Sequence, residues 1–202
     1  TMARQKGVIK LQGQMGGVSY YKSQQDGFLA REKGGVDADR IKNDPNFERT
    51  REDGAEFGRA GAAGKLLRTA LRALLVNVAD SRMTSRLTRE MVKVIQADAT
   101  NIRGQRNVID GEAELLTGFE FNQDGKLGST FFAPFTPAID RAAGNLSVDI
   151  PAYIPGNMIG APQGATHFRL LSAGVEVDFE AGSFVVKTSN TPEIVVGPQT
   201  EA

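Results

Sequence analysis

Hydrophobic positions along the chain change their period twice. From Gly7 to Glu32, short runs rich in Val, Ile, Tyr and Phe (GVIKLQG, GGVSYYK, GFLARE) are separated by Gly16-Gly17 and Gln25-Asp26-Gly27. Such runs, broken by Gly and Asp-Gly, predict hairpins, because glycine supplies the backbone angles of tight turns. The expected result is a three-stranded meander with Val8, Leu11, Val18, Tyr20, Phe28 and Ala30 on its buried face.

From about Asp37 to Thr100 the period becomes helical. Asp44 before Pro45 reads as an N-cap followed by a first helical position, where proline loses no hydrogen bond. Beyond it Gly54, Gly58, Gly61 and Gly64 recur at three- and four-residue spacing. Each interior glycine costs about 0.5–1 kcal/mol relative to alanine, so the stripe predicts a close backbone neighbour or a helix break. Gly54, Gly58 and Gly61 are therefore candidates for helix packing. Arg59 and Lys65 exclude a membrane span for this helix. Leu66, Leu67, Ala70, Leu71, Leu74, Leu75 and Val78 continue an apolar face. Asp80-Ser81 then opens a second helix carrying Met83, Leu87, Met91, Val94 and Ile95. Two antiparallel helices joined near Ala79-Asp80 follow.

After a linker containing Gly104 and Gly111, strand patterns run to the end. Gly118-Phe-Glu-Phe, Thr130-Phe-Phe-Ala, Asn145-Leu-Ser-Val-Asp-Ile, Thr166-His-Phe-Arg-Leu-Leu, Val175-Glu-Val-Asp-Phe and Ser183-Phe-Val-Val-Lys all alternate or nearly do. Short strands at this spacing predict a β-sandwich. The expected fold class is α+β: an N-terminal β-meander, a central antiparallel helix pair and a C-terminal antiparallel sandwich of the Ig or FnIII kind. The expected domains are a basic 1–110 and an acidic 111–202.

Charge sharpens that division. Residues 1–110 carry 20 Lys and Arg against 13 Asp and Glu, and the remainder carries 4 against 11, so a net charge of zero conceals two opposite poles. Such asymmetry governs association and encounter rates, not fold. The 202 residues contain no Cys, which removes disulfides and thiolate metal sites. The opening Thr1-Met2-Ala3-Arg4-Gln5-Lys6 precedes only a short apolar run, Val8 to Leu11, interrupted by Lys10. This is too polar for a signal peptide, and no membrane-length apolar run occurs, so a cytoplasmic or particle-associated location is expected. Thr1 before Met2 reads as a tag remnant.

Candidate chemistry is sparse. His167, the one histidine, lies in an alternating strand without metal-ligand or triad companions, and reads as sheet surface. Gly16-Gly17 and Gly34-Gly35 match no phosphate-binding glycine pattern and read as turns. Glu112 with Glu114, and Glu176 with Asp178, read as solvated acids. No catalytic, cofactor-binding or metal-binding residue is assigned, and no enzyme activity or cofactor is expected. Two basic stripes stand out: Lys65, Arg68 and Arg72 on the first helix, and Arg82, Arg86, Arg89 and Lys93 on the second. Like charges at these spacings repel, so an acidic partner would relieve them. That partner is nucleic acid, the acidic part of the same molecule, or that of a neighbouring copy. The stripes lack interleaved aromatics for stacking bases.

The stretch from MARQKGVIKLQGQMGGVSYYKSQQDGFLAREKGGV through RTREDGAEFGRAGAAGKLLR, RMTSRLTREMVKVIQADAT, RNVIDGEAELL and GFEFN resembles a protein family of Bacteroidota. Members of that family carry a similar REKGGV opening followed by RTRENGAEFGRAGKAGKLLR. The resemblance brings no assigned activity, cofactor or catalytic residue, and it implies a further strand pair beyond Ala202. The function expected first is a structural or assembly protein, such as a component of a prophage- or injection-system-like particle, working through a protein partner or self-association. A nucleic-acid-associated protein using the basic stripes comes second. A carbohydrate- or protein-binding β-sandwich, using an exposed Tyr153 and the loop Pro151 to Pro162, comes third.

Overall fold

The computed structural model describes residues 2–32, 34–76, 78 and 80–198. The fold is mixed α+β, with helices and antiparallel sheets, and the chain divides into two compact units, Thr1–Arg51 and Glu52–Ala202.

In the first unit β1 (Met2–Arg4), β2 (Gly13–Met15), β3 (Val18–Ser23) and β4 (Gly27–Glu32) form one antiparallel sheet in the order β1-β4-β3-β2. The strand expected from Gly7 is instead a loop, and a strand forms on either side of it. Gln5 accounts for this: its side chain accepts the Leu11 N–H at 2.8 Å and donates to the Leu29 carbonyl at 3.0 Å, occupying sites a ladder would use. Val8 and Leu11 are consequently exposed, which corrects their expected burial. Val18, Tyr20, Phe28 and Ala30 do share a face, since Tyr20 pairs with Ala30 and Lys22 with Phe28, and all four are half-buried. The buried residue of this sheet is Leu29 on the opposite face, across from Tyr21. Downstream, Asp37 caps α1 (Ala38–Asn43), and Asp44 caps a 3-10 turn at Pro45–Phe47 by accepting the Asn46 N–H at 3.0 Å. Arg51 donates to the carbonyls of Ile41 and Asp44 at 2.8 and 2.9 Å, tying this turn to the start of α2 (Glu48–Ala70).

The second unit is organised by α2, a short α3 (Arg72–Leu75) and α4 (Met83–Gln96). Ala60 and Ala63 of α2 pack with Leu87, Met91, Val94 and Ile95 of α4, the apolar stripe that the 3.6-residue period marks. Gly64 faces Leu87 and Met91, while toward the start of α2 Arg106 links Glu56 to the carbonyl of Gln96. The two helices therefore run in opposite directions. Of the expected joint at Ala79-Asp80, Ala79 lies outside the described residues.

Phe119 and Phe121, expected on a strand, lie instead in an irregular segment that follows a 3-10 turn at Ala113–Leu116. Gly118 at φ 76° turns the chain there, and both rings pack on the helix core, edge to face at 4.9 Å. Thr130-Phe-Phe-Ala likewise gives one helical turn, α5 (Leu127–Thr130), and a single bridge from Phe131 to Ile159. The remaining strands form three two-stranded antiparallel ribbons. These are β5 (Thr136–Asp140) with β6 (Asn145–Asp149), β7 (His167–Phe168) with β10 (Ile194–Val195), and β8 (Leu171–Asp178) with β9 (Ser183–Asn190). Phe131, Ala133 and Tyr153 form a second core, extended by Ile150, Met158, Ile159, Phe168 and Leu170, with α6 (Pro155–Met158) beside it. None of the helices is long and apolar enough to cross a membrane, among the described residues.

Candidate interaction site

The two basic stripes meet different fates. On α4, Arg86 donates to Asp80 at 2.6 Å, is half-buried, and lies over the Phe119 ring at 5.1 Å. Asp80 also accepts the N–H groups of Arg82 and Gln123. Burial opposes its ionisation, yet Arg86 and these N–H donors outweigh that and hold its carboxyl below the ordinary range. Further along, Glu90 accepts from Lys93 at 2.6 Å and from Arg89 at 3.1 Å. Lys93 chiefly holds the Glu90 carboxyl low, against burial. Glu90 lies within one helical turn of Lys93, at i−3, a spacing already visible in the sequence. Asp80 lies ahead of α4, six residues before Arg86, and reaches it only because the chain turns there. Arg82 is exposed and has no carboxylate partner among the described residues.

Lys65 and Arg68 lie on α2, but the helix breaks at Leu71, so Arg72, expected on the same stripe, opens α3 instead. None of the three has a carboxylate partner among the described residues, and the Arg68 Nε is buried without a hydrogen bond. Lys65 borders a cleft of about 360 Å³ whose walls include Leu66, Val108, Ile109 and Phe179. Gly54, Gly58 and Gly61 lie on the open side of the helix: a Cβ on any of them would meet nothing within 4 Å. Gly64 alone of that series is buried against the second helix. Exposed Phe57 borders a second groove, of about 510 Å³, with Thr88 and Val92.

A polar staple holds the loop after α4 against α2. Glu56, 2% exposed, accepts two bonds from Arg106 at 2.7 and 2.8 Å and the Gly104 N–H at 2.8 Å. Arg106 holds its carboxyl below the ordinary range, against burial. Arg59 donates back to the carbonyls of Gly104 and Arg106. Asp98, also buried, accepts from the Asn101 side chain and from the N–H groups of Thr100, Asn101 and Asn107. Burial alone would raise this carboxyl, but those donors outweigh it and lower it to about 2. The sign follows: its contribution is full above the unfolded value of about 3.9 and is lost as pH falls toward about 2. Asp98→Asn should therefore flatten the acid limb of a stability-against-pH curve between those values, measured by chemical denaturation; an unchanged limb would contradict this.

His167 is exposed, its Nδ1 2.9 Å from the Thr166 hydroxyl. Tyr153 is buried edge-on against Phe131 at 5.8 Å, correcting its expected exposure and leaving it no face for a sugar. Among the described residues no cluster of His, Asp and Glu could hold a metal ion. Also among them, no ion pair joins a cation before residue 110 to a carboxylate after it; the ion pairs fall within one part or the other.

The β5–β6 ribbon has every residue exposed. Its register places Pro137 opposite Val148 and Ile139 opposite Leu146, so one face is wholly apolar. Leu146 rests on Gly174 of β8, where a Cβ would collide with it. Val148 continues the face into a groove of about 320 Å³ lined by Phe131, Phe135, Ile150, Leu170 and Leu171. No protein-family model, no curated protein and no solved structure matches the chain.

Proposed function

We propose that this protein is a non-enzymatic structural or assembly protein that acts through protein–protein association, in the manner of a component of a prophage- or injection-system-like particle. The observation that carries this reading is the unpaired charge: the basic part and the acidic part make no ion pair with each other among the described residues. Opposite poles left open steer encounter between molecules, and exposed apolar surface secures the contact. Exposed Phe132, Phe135, Ile139, Leu146, Val148 and Leu171 supply such surface in the acidic part. Residues 1–110 serve as the cationic half and 111–202 as the anionic half. The Ig-like sandwich reading of the latter draws support from one contact between ribbons, Leu146 of β6 against Gly174 of β8.

Light scattering on the eluting chain tests the reading. The expected result is a mass above 21.7 kDa that rises with protein concentration; a monomer at every concentration would overturn it.

Nucleic-acid association is the second reading, favoured by one observation: Lys65 and Arg68 on α2 and Arg72 on α3 have no carboxylate partner among the described residues. It predicts a gel shift that weakens with salt and is lost when all three become alanine. Indifference to that change would remove it. The pairing of Arg86 with Asp80, just before α4, and of Arg89 and Lys93 with Glu90 weighs against the other stripe.

A further inference from the structure

We propose that two copies of this chain join through β6, Asn145–Asp149, pairing antiparallel with itself to build a four-stranded sheet β5-β6-β6-β5. This deepens the assembly reading above and rests on its apolar contact and not on its opposite poles: both strands belong to the acidic half, and cross-copy cations must offset the like charge there. Four observations converge on the strand. A two-stranded hairpin is marginal in water without further packing, and this one, beyond the seat of Leu146 on Gly174 and of Val148 at its groove, has all of its strand residues exposed and one apolar face. Ile139, Leu146 and Val148 keep 67%, 53% and 45% of their surface in solvent. The ribbon ends at β6, whose outer edge has no strand partner among the described residues. The opposite edge is blunted by Pro137 in β5, which has no N–H to donate to a ladder.

Charge fixes the occupant and the register. Arg141 at the turn and Asp149 at the open end are both exposed, and neither has an ion-pair partner among the described residues. A two-fold axis at Ser147 sets Asn145 opposite Asp149 of the other copy and Leu146 opposite its Val148. That brings each Arg141, beyond Asn145, to the other copy's Asp149. The arrangement is isologous, so the same strand satisfies both sides. The apolar face then runs unbroken across both hairpins, with Leu146 and Val148 meeting at its centre.

The chain has no cysteine, which makes the test clean. In this register Ser147 lies across from itself at an antiparallel Cα spacing of about 4.5–5.5 Å, within disulfide reach. Full-length Ser147→Cys should form a disulfide-linked dimer under mild oxidation about tenfold faster than Ser183→Cys on the exposed β9. Arg141→Asp should weaken dimerisation about tenfold, since it breaks two symmetric pairs, and Arg141→Asp with Asp149→Arg should restore it. Equal cross-linking of both cysteine variants, or no rescue by the double exchange, would overturn the proposal. If light scattering still shows assemblies in that case, the assembly reading stands and only this interface fails. A monomer throughout removes both.

Discussion

Replacing Glu56 by alanine should lower the stability of the unit formed by Glu52–Ala202 by about 3–5 kcal/mol, because Arg106 would be left charged and partly buried without its partner. The size of the effect comes from geometry. Glu56 accepts both nitrogens of the Arg106 fork and the Gly104 N–H, and Arg106 spans from there to the Gln96 carbonyl at the end of α4. One carboxylate thereby fastens the loop after α4 to the first turns of α2. Glu56→Gln keeps the shape but loses the charge, and should fall between alanine and the native residue. Thermal melting checks this: at about 2–4 °C per kcal/mol for a unit of this size, Glu56→Ala should melt about 6–20 °C lower. A shift under about 2 °C would show that the pair contributes little beyond what a surface salt bridge does.

Leu87→Ala should cost about 2–5 kcal/mol, the range for a buried leucine whose cavity cannot collapse. Leu87 is almost wholly buried, meets Gly64 of α2, and shares its cluster with Met91, Val94 and Ile95. The contrast lies on the other side of α2. Gly58→Ala and Gly61→Ala meet open space within 4 Å, so each should stabilise by about 0.4–1 kcal/mol through helix propensity and a less flexible unfolded chain. Denaturant unfolding of the three variants measures both effects. Destabilisation by Gly58→Ala would mean that something packs on that face in solution, and it would return the glycine stripe to the role its spacing first suggested.

The helical part was legible in the sequence because its signals are local. Asp44-Pro45 marks a helix start by capping chemistry, and Leu87, Met91, Val94 and Ile95 mark a buried stripe by period alone. The first strand was not legible. Val8 to Leu11 has strand composition, but Gln5, six residues before Leu11, takes over its backbone partner. Phe119 and Phe121 alternate as a strand would, yet a glycine turn and the helix core claim them. The glycine stripe shows a related limit: spacing says which residues share a face, and within this chain nothing lies against Gly54, Gly58 or Gly61 within 4 Å of an added Cβ, among the described residues. Charge showed the same limit. The cations of α4 formed a stripe on paper, while Asp80 and Glu90 pair with three of the side chains projecting from it. The exposed apolar hairpin, by contrast, needed the register of β5 against β6 before its one-sided face could be seen.

On the proposed function, opposite charge on the two parts of the chain drives its association. Sedimentation equilibrium of the full chain, at low ionic strength and again at about 1 M salt, where the screening length falls to about 3 Å, tests it most directly. The account predicts assemblies at low salt whose mass falls toward that of a single chain as salt rises. A mass that stays at one chain under both conditions, or an assembly wholly indifferent to salt, would contradict it.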